Sequence, residues 1–251
     1  MKFLAFDTST DVMSIAVTDG GKADRIWQHS GPGGAQASST LIPAILALLA
    51  EAGMSLGELD AIAFGRGPGS FTGLRTACAV AQGLALGAGQ GAGIPVLPID
   101  TLMALAEEAR FQQANESDAT MLNVTALLDA RMDEMYVQHL SFSGGLWHAR
   151  GDCMAVRPEN FVPESDTAWL AGNVFGVYAS RLPASLSALI CITALPTASA
   201  LLRLAPSLAA AGHCVDAALA LPLYVRDKVA FTTEERDQLK AQIRIDPAPT
   251  L

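Results

Sequence analysis

Chemistry is most readily offered at Gly65-Arg66-Gly67-Pro68-Gly69-Ser70-Phe71-Thr72-Gly73-Leu74-Arg75, between an apolar run (Ala61 to Phe64) and a long run of small apolar residues (Thr76 to Gly89). Four glycines and a proline within nine residues exclude regular structure, so the segment predicts strand, tight loop and helix, with Ser70 or Thr72 at the N-cap. Such a loop turns backbone N–H groups outward at a helix N-terminus, which suits an anion, a phosphate or the close approach of another backbone. The glycines do not fall as G-x-G-x-x-G and no Gly-Lys-Ser/Thr follows, so neither the dinucleotide fingerprint nor a Walker loop is present. A packed turn that holds no ligand fits the same pattern.

Asp7 closes the apolar run Phe3-Leu4-Ala5-Phe6 and is followed by Thr8-Ser9-Thr10. A carboxylate there can orient a metal-bound water or, more simply, cap nearby N–H groups. Arg131 and Glu134 are close enough in sequence for a local ion pair, or to face a partner. The four histidines (His29, His139, His148, His213) fit no H-x-x-x-H or H-E-x-x-H pattern, and the four cysteines (Cys78, Cys153, Cys191, Cys214) have neither metal-ligand nor redox spacing. Nucleophilic catalysis finds no G-x-S-x-G elbow. The expectation is a chain with no catalytic residues and no metal of its own.

The elements that position these residues follow from pattern. Phe3 to Asp7, Val12 to Val17 and Asp24 to Gln28 predict three antiparallel strands. Ser30 to Gln36 predicts a flexible loop. Helices are predicted over Ser39 to Ala52, with Pro43 tolerable only in the first turn, and over Thr72 to Gly87. Both are apolar all round, so each must be covered on every side, and apolar faces of that size mark an interface. Ile94 to Ile99 and a helix through Arg110 complete a first half, residues 1–110. The polar stretch from Phe111 to Ala119 reads as a linker into a second half, residues 111–228. Its strands Thr120 to Asp129, Glu134 to Phe142 and Leu146 to Val156 repeat the opening, with Asp129 placed as Asp7 is. Ala168 to Asn173 predicts a strand, Pro196 to Ala211 a helix bent at Pro206, Pro222 to Arg226 an extended segment, and 229–251 a charged helix and tail.

A chain of 251 residues with a formal charge of −9 and 16 basic residues against 25 acidic ones has no electrostatic footprint for binding nucleic acid alone. Scattered cysteines, and no span of bilayer length, predict a cytoplasmic protein without a membrane anchor.

GRGPGSFTGLR with Phe3-Leu4-Ala5-Phe6-Asp7-Thr8-Ser9, Leu128-Asp129-Ala130-Arg131 with Glu134-Met135-Tyr136, and Pro222-Leu223-Tyr224-Val225-Arg226 together resemble the TsaB (YeaZ) family, in the family's order. The resemblance implies an α/β fold of the actin/Hsp70/hexokinase-like (ASKHA, ribonuclease H-like) kind, duplicated, with mixed sheets flanked by helices. It implies a non-catalytic subunit in threonylcarbamoylation of N6 of the adenosine beside the tRNA anticodon. The partners it implies are a TsaD-like catalytic subunit, a TsaE-like ATPase and a second copy of itself, with tRNA met only through the complex. Leu41, Ile45, Leu48, Leu49, Phe71, Thr72, Leu74, Arg75 and Ala79 are the expected partner-binding residues, and Leu48→Arg is expected to abolish pairing while sparing the fold. Asp7, Gly67 and Gly69 are where a nucleotide would be met, with ATP or ADP at a subunit junction as the cofactor to consider. An ASKHA-type kinase or ATPase is the alternative enzyme reading; a peptidase, suggested by the glycoprotease label of related families, lacks ligands or a nucleophile.

Overall fold

A computed structural model describes residues 1–21, 25–88, 93–113 and 121–226. Two sheets are built on one plan. The first takes β1 (Phe3–Asp7), β2 (Val12–Thr18), β3 (Ile26–Pro32), β4 (Ala61–Gly67) and β5 (Val96–Asp100) in the order β3-β2-β1-β4-β5. β1 pairs antiparallel with β2 and β2 with β3, whereas β4 and β5 are added parallel. The second sheet runs β11 (Ile190–Thr193), β10 (Trp169–Gly172), β6 (Met121–Asp129), β7 (Met135–Ser143) and β8 (Leu146–Ala149), with β9 (Met154–Val156) also on β7. β6 and β7 are again an antiparallel hairpin, and β10 and β11 again parallel additions. This is the duplicated plan that the resemblance implied, with Asp129 ending β6 as Asp7 ends β1.

β1 is buried on both faces, which is why its sequence is a continuous apolar run rather than an alternation. Leu4 and Phe6 face the helices α1 (Ala37–Glu51) and α2 (Phe71–Gly87). Phe3 and Ala5 face the other way, towards α3 (Thr101–Gln112) and α5 (Ala198–Ala210), which lie between the two sheets. α3 follows the first sheet in sequence and touches β4 and β5 but packs mainly on β6, β7 and β10, and α5 follows the second sheet but packs on β1, β2 and β4. Their contact is polar at its centre. Glu107 is 2% exposed and accepts from Trp147 Nε1 at 3.0 Å, Arg110 Nε at 2.8 Å and Arg203 Nε at 3.0 Å. Among the described residues, the outer face of the second sheet is covered by α4 (Val174–Val177) and neighbouring loops, through Val174, Tyr178 and Leu186.

Several expectations shift. α1 begins at Ala37, so Pro43 falls in its second turn, on the exposed side. The loop expected over Ser30 to Gln36 is the end of β3 followed by a 3₁₀ turn at Gly34–Gln36, because backbone pairing with β2 extends to Pro32. α3 runs through the expected linker start to Gln112, while residues 114–119 of that linker and the 229–251 tail lie outside the described residues. β11 had no counterpart in the sequence reading. Among the described residues no helix is long and apolar enough to cross a membrane.

Candidate functional site

The glycine-rich loop connects β4 to α2 and lies on the end of β1. Three of its backbone groups are engaged within the chain: Ser70 N–H donates to Ser9 O at 2.7 Å, Gly67 N–H to Thr101 Oγ1 at 3.1 Å, and Gly73 O accepts from Thr8 Oγ1 at 2.7 Å. A Cβ on Gly73 would stand 1.8 Å from Thr8 O, and one on Gly69 2.6 Å from Ser9 O. The glycines therefore serve the close approach of another stretch of backbone, one of the three uses the spacing allowed. Ser70 is the N-cap but makes no side-chain capping bond.

Asp7 is fully buried. Its Oδ1 accepts from Ser9 N at 2.8 Å and Ser9 Oγ at 2.6 Å, while Oδ2 has no hydrogen-bond partner. A Cβ on Gly65 would lie 1.8 Å from that Oδ2, so the neighbouring strand presses on it. Burial pushes the Asp7 carboxyl up to about 6, against the lowering effect of the Ser9 bonds and of the nearby Thr101 hydroxyl. A carboxyl neutral up to that pH, walled in by its own fold, caps the turn at Ser9. It is poorly placed to hold a metal-bound water.

Between the two sheets opens a cleft of about 430 Å³, lined by Thr10 and Asp11 on one side, Asp129, Arg131 and Asn173 on the other, and Phe71, Tyr224 and Arg226. Arg131, Met132 and Asp133 each have positive φ (59°, 54° and 61°), a conformation that non-glycine residues rarely adopt and that costs free energy at each. The bracing is correspondingly dense. Arg131 N–H donates to Asp129 Oδ1 at 2.9 Å, Tyr178 OH donates to the same oxygen at 2.7 Å, and Arg181 holds Asp133 at 2.6 Å. Burial, then the Asp129 bond, push the Tyr178 phenol above its ordinary value. Arg131 reaches across the cleft to Asp11, and Glu134 pairs with Arg226, so the local Arg131–Glu134 pair does not form. The turn aims the arginine away from its neighbour.

The segment 213–226 runs as a strap along α2 into the cleft. Ala220 O accepts from Cys78 Sγ at 3.2 Å and Gln82 Nε2 at 3.0 Å, and Leu223 N–H donates to Arg66 O at 2.7 Å. Tyr224 and Phe71 have ring centroids 5.1 Å apart, the Arg75 guanidinium lies 3.7 Å over the Phe71 ring, and Arg75 Nε donates to Tyr224 OH at 3.2 Å. Arg226 donates to Ala130 O at 2.9 Å and Arg131 O at 3.1 Å. Asp11, Asn173, Tyr178 and Arg181 were not singled out from sequence, and no spacing signal marks them. Among the described residues no three His, Cys, Asp or Glu side chains come together as a metal site.

α1 and α2 pack side by side and present an outward apolar face. Ile42 is 43% exposed, Leu46 49% and Leu86 59%, with Ala47, Ala79 and Gly83 exposed between them.

The family model of the tRNA N6-adenosine threonylcarbamoyltransferase, TsaD, matches residues 29–231. The tRNA threonylcarbamoyladenosine biosynthesis protein TsaB of Haemophilus influenzae is 34% identical over 244 residues, covering 92% of this chain and 96% of its own. TsaB of Escherichia coli is 32% identical over 243 residues, covering 92% and 97%. The solved structure of YeaZ from Pseudomonas aeruginosa superposes with a TM-score of 0.75 at 38% identity, covering 89% of this chain and 99% of that one. The chain belongs to the TsaB (YeaZ) family.

Against what TsaB membership had suggested for partner-binding residues, the helices are turned. Leu41, Ile45, Leu48, Leu49 and Leu74 are at most 4% exposed and pack on the first sheet, so they form its core and offer no surface. Thr72, Arg75 and Ala79 are exposed and Phe71 half-buried beneath Arg75. An apolar residue on an all-apolar helix has even standing to point either way, and the longer aliphatic set faced the sheet. Gly67 and Gly69 stay in the loop packed on β1, with Gly67 at φ +118° beneath Leu223 O.

Proposed function

We propose that this chain is a non-catalytic subunit in formation of the threonylcarbamoyl group on N6 of the adenosine beside the tRNA anticodon. It acts by binding a TsaD-like transferase, together with a TsaE-like ATPase. The observation that carries the reading is the apolar outer face of α1 and α2 on a chain whose relatives are named for this biosynthesis. Two adjacent helices that expose Ile42, Leu46 and Leu86 need a covering partner, because soluble proteins rarely leave a contiguous patch of that kind bare. The acidic balance of the chain fits tRNA being met through the complex.

The kinase or ATPase reading is weakened by the same loop that prompted it. Phosphate binding needs free N–H groups, and two of the loop's, Gly67 and Ser70, donate inside the fold, while Asp7 is sealed from the cleft.

The test supplies tRNA and threonylcarbamoyl-adenylate to the TsaD and TsaE subunits of the same organism and follows modified adenosine by mass spectrometry, with and without this chain. Modification that depends on the chain is expected. Equal modification without it, or ATP consumption by the chain alone, would overturn the proposal.

A further inference from the structure

The cleft at Asp11 and Arg131 opens where β1 and β6 end. A second cavity, also of about 430 Å³, opens between the sheets where those strands begin. Strand pairing sets its walls: Phe3 lies opposite Thr18 and Leu122 opposite Phe142, so Phe3 and Thr18 line the cavity from the first sheet, and Phe142 and Trp147 from the second. α3 contributes Glu107 and Arg110 to the lining, and α5 contributes Arg203.

The polar side of this cavity carries more cation than anion. Arg110 Nη2 and Arg203 Nε both donate to Glu107 Oε1 at 3.0 Å, so two guanidinium groups sit side by side on one carboxylate. Arg110 Nε and Trp147 Nε1 donate to Oε2, and four donors fill the acceptor sites of Glu107. Of the two arginines, Glu108 reaches only Arg203, through Nη2 at 2.6 Å. Nη1 of neither arginine has a partner among the described residues. These side chains are not loose on the surface. Arg110 is 27% exposed and Arg203 20%, and each lays a guanidinium face on a ring, Arg110 on Phe142 at 4.6 Å and Arg203 on Phe111 at 4.1 Å. Held at one edge by Glu107 and at one face by a ring, both forks are positioned before any ligand arrives, which lowers the entropy cost of binding one.

We infer that this cavity is a binding site for a small organic anion, with a carboxylate or phosphate head on the Nη1 groups of Arg110 and Arg203 and an apolar body beside Phe3, Phe142 and Trp147. The charged lining is two guanidinium groups against one saturated carboxylate, so a bound anion relieves their mutual repulsion. Guanidinium edges match the geometry of carboxylate and phosphate oxygens. The volume falls within the range of about 300–1,000 Å³ that holds small-molecule ligands. Bound there, the anion bridges α3 to α5, the two helices packed between the sheets, and acts as a clip on the joint of the two halves. Because it binds the folded chain alone, it raises stability by mass action.

The test is calorimetry and thermal unfolding of the full chain at fixed ionic strength with benzoate, phenyl phosphate, benzyl alcohol and inorganic phosphate. The first two carry head and body, the third the body alone and the fourth the head alone. At least one aromatic anion is expected to bind tenfold or more tighter than benzyl alcohol and inorganic phosphate, and to raise Tm by about 3 °C at about ten times its Kd. The better of benzoate and phenyl phosphate identifies the head. Arg110→Gln removes donors to the head, and Ile26→Trp, at a lining position 43% exposed, narrows the mouth while leaving the Glu107 network whole. Both are expected to weaken binding at least tenfold, with Arg131→Gln in the other cleft unchanged. If Arg110→Gln fails to fold, Ile26→Trp alone decides. Loss of binding in Arg131→Gln with binding kept in Ile26→Trp would place the anion in the other cleft and overturn the inference. So would the absence of saturable binding by both aromatic anions, or equal affinity for benzyl alcohol or inorganic phosphate.

Discussion

Replacing Asp7 with asparagine isolates the free energy that the fold spends on burying one carboxyl group. The native protein holds Asp7 at a pKa of about 6 against an ordinary value of 3.8. A folded-state pKa above the unfolded one means that the folded chain binds the extra proton, so stability is highest at low pH and falls as pH rises through the interval from the unfolded to the folded value. At about 1.4 kcal/mol per pKa unit, the full cost of ionising Asp7 is about 3 kcal/mol, of which about 2 kcal/mol falls between about pH 4 and pH 7.5. Asparagine cannot ionise, and its Oδ1 can keep both Ser9 bonds. Its amide N–H groups face the place where Oδ2 has no partner, a constant cost of about 1–3 kcal/mol. The discriminating quantity is therefore the change with pH of the difference between the two proteins. Urea unfolding of parent and Asp7→Asn at both pH values is expected to show that difference moving in favour of Asp7→Asn by about 2 kcal/mol on going to the higher pH. Because every other carboxylate titrates equally in both proteins, the comparison cancels them. Parallel pH profiles would refute the reasoning, and would mean that Asp7 is ionised in the fold with a cation or water on Oδ2.

Other perturbations follow from the same geometry. Gly73→Ala drives a methyl group into Thr8 O and is expected to cost more than about 4 kcal/mol or prevent soluble expression, whereas Gly83→Ala, with open space around it, is expected to stabilise by about 0.5–1 kcal/mol in thermal unfolding. Leu48→Arg is expected to unfold the chain, because Leu48 is 4% exposed, whereas Leu46→Glu should leave the unfolding free energy within about 0.5 kcal/mol. Circular dichroism melts of the two decide whether α1 faces as described. Glu107→Gln strips Arg110 of its carboxylate and leaves Arg203 with Glu108 alone, and is expected to cost about 3 kcal/mol in urea unfolding; a loss under about 1 kcal/mol would mean that Glu108 and solvent already compensate those arginines.

Legibility in the sequence followed the strength of local signals. β1 ended where Asp7 broke an apolar run, and the glycine-rich loop announced the start of α2 to within one residue. The phase of α1 was invisible. With Leu, Ile and Ala on every side, nothing in Leu41 to Ala50 distinguishes the face that meets the sheet from the face that meets a partner. The choice between them is made by tertiary packing. β11 is four residues long on a sheet edge, too short for alternation to register. The left-handed run at Arg131, Met132 and Asp133 has no glycine to signal it, because its support comes from Tyr178, Arg181 and Arg226, distant in sequence. The burial of Asp7 likewise depends on Gly65 arriving from another strand.

The exchange of α3 and α5 between the two sheets has a consequence for the order in which the chain matures during synthesis. The face of the first sheet that carries Phe3, Ala5, Ala16 and Ala63 is covered by α5, about 100 residues downstream of β5. At about 5–20 residues per second, the nascent first half waits about 5–20 s with that face open. α3 is made early and meets β4 and β5 at once, but the larger part of its seat is on strands that do not yet exist. Neither half can be released as a finished unit, and a ribosome stalled before residue 198 would hold a sheet with the apolar face of β1 and β2 uncovered, a substrate for holding chaperones.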